Sequence, residues 1–380
     1  MFLSPRDASA RILTGRTSPL APRFPSMNSP QQVVAFTPDY PIAAPPAGGN
    51  TIEVAPGVHW LRMPLPFALD HINLWLLDEG DGWTLIDSGL NSEVTRQHWE
   101  QIFSRTLDAR PVKRLIVTHH HPDHMGLAGW LVEKFGVRMW MTAGEYLVCL
   151  AAYNGSAGYS AEPVAELFRQ HGLDQERIES LKTRGNGYRR GIAEPPAHYR
   201  RYFHDEMIAV GSHQWRVITG FGHAPEHAAL YCASLGVLIS GDMLLPKIST
   251  NVGVWPAEPD GDPLQLFLDS IDRFLPLPPQ TLVLPSHGLP FRGIQGRVVD
   301  LHAHHDARLA EVLDACARPR TAAELMPILF RRQLDTHQLF FAMGEAIAHL
   351  HRLLYAGQIE RDIDAEGVVR FCARKMKVAK

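Results

Sequence analysis

A run of imidazoles at the end of an apolar strand constrains this chain more than any other feature. Arg114-Leu115-Ile116-Val117 leads into Thr118-His119-His120-His121-Pro122-Asp123-His124, in which five of seven side chains can bind metal. Desolvating such groups without partners is costly, whereas a metal ion uses their lone pairs. On extended backbone His119 and His121 leave the same face. Pro122 turns the chain, so Asp123 and His124 project from the start of the next helix. His120 points the other way and is left out of the site. Four ligands within six positions can face two metal ions but cannot saturate both.

Three later segments can supply the rest. Gly222-His223-Ala224-Pro225-Glu226-His227 follows the strand Val217-Ile218-Thr219, Ser240-Gly241-Asp242 follows Val237-Leu238-Ile239, and Pro285-Ser286-His287-Gly288 follows Leu282-Val283-Leu284. Each places a ligand-capable residue just past the carboxyl end of a short apolar strand, in a connection of the kind that carries chemistry. His227 is read as a neighbour of the site, not a ligand. His71 is read as a strand-edge histidine, and His302, His304 and His305 as structural residues near a helix start.

From Ile52 the pattern is β. Val58–Met63 precedes Ile72–Leu77, and the Asp78–Gly82 turn joins that run to Trp83–Asp87 as a hairpin. The spacing predicts a helix over Glu93–Leu107, a strand at Leu115–Thr118, a helix from Leu127 to Phe135 stopped by Gly136, and a strand at Val137–Met141. Residues 144–205 break this rhythm. They read as mostly helical, with Tyr146, Tyr153, Tyr159, Tyr188, Tyr199 and Tyr202 and a basic cluster at Arg184, Arg189, Arg190, Arg200 and Arg201. An aromatic, basic insert between strands predicts a cap over the site. Strands resume at Met207–Val210, Gln214–Thr219, Ala229–Cys232, Val237–Ser240 and Thr281–Leu284. Helices over Ala307–Cys316, Ala322–Phe330 and His337–Ala356, then short strands at Ile359–Arg361 and Val368–Phe371, have the order of a winged helix.

These ligand positions resemble a known pattern. HHHPDH matches the HxHxDH signature of the metallo-β-lactamase fold hydrolases, and His223, Asp242 and His287 match the remaining ligands of that superfamily in order. The resemblance spans residues 55 to 295. It implies a four-layer αββα sandwich; with the helical insert and the C-terminal winged-helix-like domain read above, the expected fold class is α+β. It further implies that His119, His121 and His223 hold one metal, that Asp123, His124 and His287 hold a second, and that Asp242 bridges them. Asp87, in Ile86-Asp87-Ser88-Gly89, matches the superfamily's first motif and is expected to orient the metal-binding loop. Asp123 and Asp87 are the expected catalytic residues. The cofactors implied are two divalent ions, zinc first, with iron or manganese as alternatives.

Two such ions generate hydroxide near neutral pH and polarise a carbonyl or phosphoryl oxygen. Aspartate at 242, where many lactamases of the superfamily carry cysteine, points away from antibiotic hydrolysis, and the full ligand set points away from mononuclear sulfur dioxygenases. The C-terminal region resembles the branch containing glyoxalase II, acyl-thioester hydrolases and an endoribonuclease. The expected activity is hydrolysis of a thioester or ester, of acyl-CoA or glutathione-thioester type, on a small-molecule acyl substrate. The alternatives are an endoribonuclease or phosphodiesterase, and a lactonase. Arg370, Arg374, Lys375, Lys377 and Lys380 make the C-terminal end basic, but Asp362, Asp364, Glu366 and a net charge of -3 oppose a strong phosphate-binding face, so nucleic acid is the lesser partner expectation. A homodimer is expected.

Residues 1–50 are rich in Pro, Ser, Ala and Arg, with acids only at Asp7 and Asp39. They are expected to form a disordered tail, ahead of a catalytic domain at 51–300 and a C-terminal domain at 301–380. No apolar run approaches the roughly 20 residues that span a bilayer. Cys149, Cys232, Cys316 and Cys372 are scattered without a CxxC pair, which suits a reducing compartment. The expected location is cytoplasmic, or an organelle matrix if the leader is a transit peptide.

Overall fold

The computed structural model describes residues 36–156, 158–183 and 185–374. One sheet runs in chain order through β1 (Thr51–Ala55), β2 (Val58–Pro64), β3 (His71–Asp78), β4 (Trp83–Ile86), β5 (Val112–Ile116), β6 (Met139–Met141) and β7 (Tyr199–Arg201). The second has the order β12-β11-β10-β9-β8, from β8 (Met207–Val210), β9 (His213–Gly220), β10 (His227–Cys232), β11 (Val237–Gly241) and β12 (Leu282–Pro285). The hairpin β13 (Ile359–Ile363) and β14 (Val369–Ala373) forms a sheet of its own. The helices are α1 (Glu93–Arg105), α2 (Pro122–Met125), α3 (Ala128–Phe135), α4 (Ala143–Asn154), α5 (Ala161–Gln170), α6 (Gln175–Thr183), α7 (Gly187–Gly191), α8 (Pro263–Ile271), α9 (Ile294–Ala315), α10 (Ala322–Leu329) and α11 (Thr336–Tyr355).

Side-chain alternation builds four layers. In β3, Ile72, Leu74 and Leu76 face a cluster with Trp99 and Ile102 of α1 and Leu131 of α3. Trp75 and Leu77 face the other way, packing with Val217, Leu230 and Ile239 of the second sheet. The outer face of that sheet, through Ile218, Ala229 and Leu238, packs on Phe267 of α8 and Val298 and Leu301 of α9. Strands covered on both faces read as continuous apolar runs, which is why these were found without alternation. The order helix, sheet, sheet, helix is the αββα sandwich.

Several expected boundaries move. Residues 36–50, assigned to the tail, pack on the domain: Asp39 pairs with Arg292, and Phe36 and Tyr40 join the outer core. Residues 1–35 lie outside the described residues. The insert is shorter than 144–205, because Tyr199–Arg201 is a strand of the first sheet, parallel to β6. Its helices α5 and α6 pack against the C-terminal elements. Leu167, Phe168, Ile178 and Leu181 share one core with Val312, Leu325, Met343, Ile347 and Phe371 of the C-terminal elements. Helix α9 starts at Ile294, so His302, His304 and His305 lie in its middle. The terminal order of helices and hairpin is as expected.

Topology fixes where the site forms. β4 and β5 are parallel, as are β11 and β12. β9 and β11 are each antiparallel to β10, so they share a direction too. The carboxyl ends of these strands release Asp87, the histidine loop, His223, Asp242 and His287. Ala228 N–H donates to Thr118 O at 2.9 Å, tying the two sheets together at that edge.

Candidate metal centre

Two groups of donors converge at the strand ends: His119, His121, His223 and Asp242, and beside them Asp123, His124 and His287, with the ligand atoms of each group within 4.8 Å of one another. Asp242 faces both. Its Oδ2 lies 3.3 Å from His223 Nε2 and 3.8 Å from His119 Nε2. Its Oδ1 lies 3.5 Å from both His124 Nε2 and His287 Nε2. Asp123 Oδ2 is 3.5 Å from His287 Nε2 and 3.8 Å from His124 Nε2.

Outer partners fix which nitrogen faces inward. His223 Nδ1 donates to Asn251 O at 2.7 Å and His287 Nδ1 to His71 O at 2.8 Å. A carbonyl only accepts, so each Nε2 keeps its lone pair for the centre. His124 Nδ1 meets Asp87 Oδ2 at 2.8 Å. The Thr118 hydroxyl donates to Asp87 Oδ2 at 2.9 Å and can accept from His119 Nδ1 at 3.1 Å. The remaining Asp87 oxygen takes Thr118 N–H at 2.7 Å. Asp87 therefore holds the histidine loop from behind and does not face the donors' centre.

The donor set fits divalent ions. His119 Nε2 is 2.9 Å from His121 Nδ1 and 3.3 Å from His223 Nε2, so inward nitrogens are crowded together. His124 Nε2 and Asp242 Oδ1 are buried without hydrogen-bond partners. Burial, with His124, His121 and His227 nearby, holds His119 well below the usual histidine range. Burial and His223 do the same to His121. Burial alone would depress His124 as well, but Asp87, Asp242 and Asp123 pull it well above the usual range. Burial opposes ionisation of Asp242, yet His287 and His124 hold it well below the carboxylate range. Imidazole nitrogens crowded together beside carboxylate oxygens are the chemistry of a cation site.

The residues set aside in sequence have definite places. His120 turns away, its Nδ1 2.6 Å from Glu145 Oε2. His227 Nε2 accepts Asp242 N–H at 3.2 Å, behind the Asp242 carboxylate. Gly241 makes this possible: its φ is +55°, and a Cβ there would lie 2.3 Å from His227 Nε2. His71 is more than an edge residue, since its Nε2 accepts Gly288 N–H at 2.9 Å beside His287. Asn73, Glu145, Asn251 and Glu345 were not found from sequence. Glu345 Oε2 takes Asn251 Nδ2 at 3.3 Å, behind the carbonyl that holds His223. None carries a motif or spacing that would have marked it.

The insert's aromatic and basic residues are largely engaged. Tyr146 and Tyr199 stack with centroids 3.9 Å apart, Tyr202 is buried with its hydroxyl on Val117 O, and Tyr188 donates to His120 O at 2.5 Å. Arg200 pairs with Glu206 and lies over Trp140, and Arg189 lies over Tyr153. The Arg184 expectation lies outside the described residues.

Fold and donor set together define a metallo-hydrolase. Residues 68–287 match the family model described as Metallo-beta-lactamase superfamily, and residues 309–375 match that of Metallo-beta-lactamase-like, C-terminal domain. The chain belongs to the metallo-beta-lactamase superfamily. A beta-lactamase domain protein from Burkholderia ambifaria has a similar crystal structure, with 51% identity, a TM-score of 0.84, and coverage of 89% of this chain and 98% of its own. A metallo-beta-lactamase family protein from Thermus thermophilus is 32% identical, with a TM-score of 0.71 over 85% of this chain and 100% of its own. The probable metallo-hydrolase YqjP of Bacillus subtilis (strain 168) is 26% identical over 298 residues, 76% of this chain and 90% of the relative. No described helix is long and apolar enough to cross a membrane.

Proposed function

We propose that this chain holds two divalent ions, zinc before iron or manganese, and hydrolyses a thioester of acyl-CoA or glutathione type. The observation that carries the binuclear assignment is Asp242, whose two oxygens face separate donor groups. His119, His121 and His223 would hold one ion and Asp123, His124 and His287 the other, with Asp242 available to both sets. When bound, such ions acidify water and polarise a carbonyl oxygen. Asp123 is the more open carboxylate, its side chain 21% exposed against 9% for Asp242. It is placed to accept a proton from water and deliver it to a departing thiolate. Asp87 we assign as a positioning residue, because Thr118 and His124 occupy its carboxyl group. No side-chain nucleophile is needed.

The C-terminal charges favour a thioester over RNA. Arg370 is paired with Asp364 and Glu324, and Arg361 with Asp260. Paired arginines give a weaker phosphate-binding face than free ones. We take the helices and hairpin that follow α9 as a winged-helix-like module that walls the site, after a catalytic domain that includes residues 36–50.

The test is purified protein reconstituted with zinc, manganese or iron and assayed on acyl-CoA, hydroxyacylglutathione, lactones and single-stranded RNA. Thioester turnover with about two ions per chain is expected, abolished by Asp123→Ala. RNA cleavage lost in that variant, with no thioester turnover, overturns the proposal.

A further inference from the structure

Glu145 lies in the first turn of α4, the opening helix of the insert, and is fully buried. Its Oε2 accepts His120 N–H at 2.9 Å and meets His120 Nδ1 at 2.6 Å. Its Oε1 accepts Glu226 N–H at 2.6 Å. His120 stands between His119 and His121, and Glu226 stands three residues after His223. One carboxyl group therefore joins the two loops that carry the first donor group.

The contact is reciprocal. Glu226 Oε2 accepts Gly144 N–H at 3.0 Å, satisfying a free donor at the start of α4. The Thr142 hydroxyl donates to Glu226 O at 2.8 Å. The fit is close: a Cβ on Gly144 would lie 3.1 Å from Glu226 Cβ. From the other side Tyr188, on α7 of the same insert, donates its hydroxyl to His120 O. Two insert helices thus grip the residue that separates two ligands.

We infer that Glu145 is a positioning residue for the metal centre, so that the insert builds the site as well as flanking it. This rests on His119, His121 and His223 being metal ligands. Hydrogen bonds behind a ligand set hold its donors in binding geometry, and losing one costs about 10–100-fold in metal affinity. Glu145→Ala leaves three buried donors without their acceptor. Glu145→Gln keeps an oxygen for His120 but turns an amide N–H₂ toward Glu226 N–H, so the link to the His223 loop alone is lost.

The test is Co2+ binding to the full chain, by competition with a chromophoric chelator, together with the visible absorption of the cobalt-loaded protein. Glu145→Ala is expected to bind the metal about 10–100-fold more weakly with shifted ligand-field bands, and Glu145→Gln to fall between it and wild type. A purely structural role would lower the melting temperature and leave the bands unmoved. If Glu145→Ala does not fold, Glu145→Gln decides. Wild type that binds cobalt, beside variants of unchanged affinity and spectrum, overturns this inference alone. Wild type that takes up no cobalt overturns the metal-centre reading and this inference with it.

Discussion

Asp87 Oδ2 sits 2.8 Å behind His124 Nδ1, and the same carboxyl group takes the Thr118 N–H and hydroxyl. One residue at the end of β4 thus orients a donor of the second group and closes the loop on which it stands. Asp87 has a φ of +61°, which Asn tolerates better than Ala. Asp87→Asn is therefore nearly silent for the backbone but exchanges one acceptor for a donor. It is expected to weaken metal binding at Asp123, His124 and His287 by about 10–100-fold. Asp87→Ala adds a loss of about 1–3 kcal/mol in unfolding free energy from unsatisfied donors. Metal competition and urea unfolding read the two effects, and unchanged affinity in both variants would remove Asp87 from the site.

Gly241 is the second backbone point on which the centre turns. Any side chain there meets the His227 ring and must adopt a positive φ. Gly241→Ala pushes His227 away from Asp242 N–H and moves the Asp242 carboxylate. A loss of about 2–4 kcal/mol is expected from strain and overpacking. Metal stoichiometry should fall with it, because Asp242 serves both donor groups. A variant of wild-type stability and full metal content would contradict this.

The two halves of the site differ in how legible they were. His119 to His124, His223, Asp242 and His287 could be read because each follows a short apolar strand, and strands that share a direction deliver their ends to one edge. The residues behind them could not be read. Glu145 reaches His120 across 25 positions and Glu226 across 81, and neither separation repeats with any period. β7 escaped notice for a different reason. Tyr199-Arg200-Arg201 is short and polar, and it is held by pairing with β6 and by Arg200 lying 3.9 Å over Trp140. The early start of α9 was hidden because Ile294, Val298 and Leu301 pack on the second sheet, well before the segment that packs with the C-terminal helices.

Asn73 carries the loop of His287. It is fully buried in β3, donates to Pro285 O at 2.8 Å and Gly288 O at 3.0 Å, and accepts Arg62 Nε at 3.0 Å. Arg62 also donates to Gly288 O at 2.7 Å. Asn73→Leu conserves volume and deletes this chemistry. It is expected to cost about 1–3 kcal/mol in unfolding free energy and to loosen metal binding at His287 more than at His223. Equal effects on both donor groups would indicate general destabilisation instead.

Stability should fall on the acid side, through buried histidines outside the two donor groups. His349 of α11 donates Nδ1–H to Glu345 O at 2.9 Å, and its Nε2 lies 3.4 Å from His305 Nδ1 of α9. Burial lowers His349 to about 4 and His305 to about 3. Burial likewise lowers His171, whose Nδ1 bonds Leu167 O, to about 4. The unfolded chain, with histidine near the ordinary ~6.5, takes up these protons first as pH falls. Their contribution is therefore intact above about pH 6.5 and drains away toward pH 4, by about 3 kcal/mol for a full shift at His349. Glu345 works in the opposite sense. Burial raises it to about 7, so it favours the fold below its unfolded value and that support is lost as pH rises through 7. His351, His304 and His59 are depressed by burial too, and among the described carboxyl groups only Asp262 joins Glu345 in being raised by it, so net loss on acidification is expected. Urea unfolding from pH 4 to 8, with chelator present throughout to remove metal linkage, measures it. His349→Gln should flatten the acid limb by about 3 kcal/mol, and a curve parallel to wild type would show that folding does not depress His349.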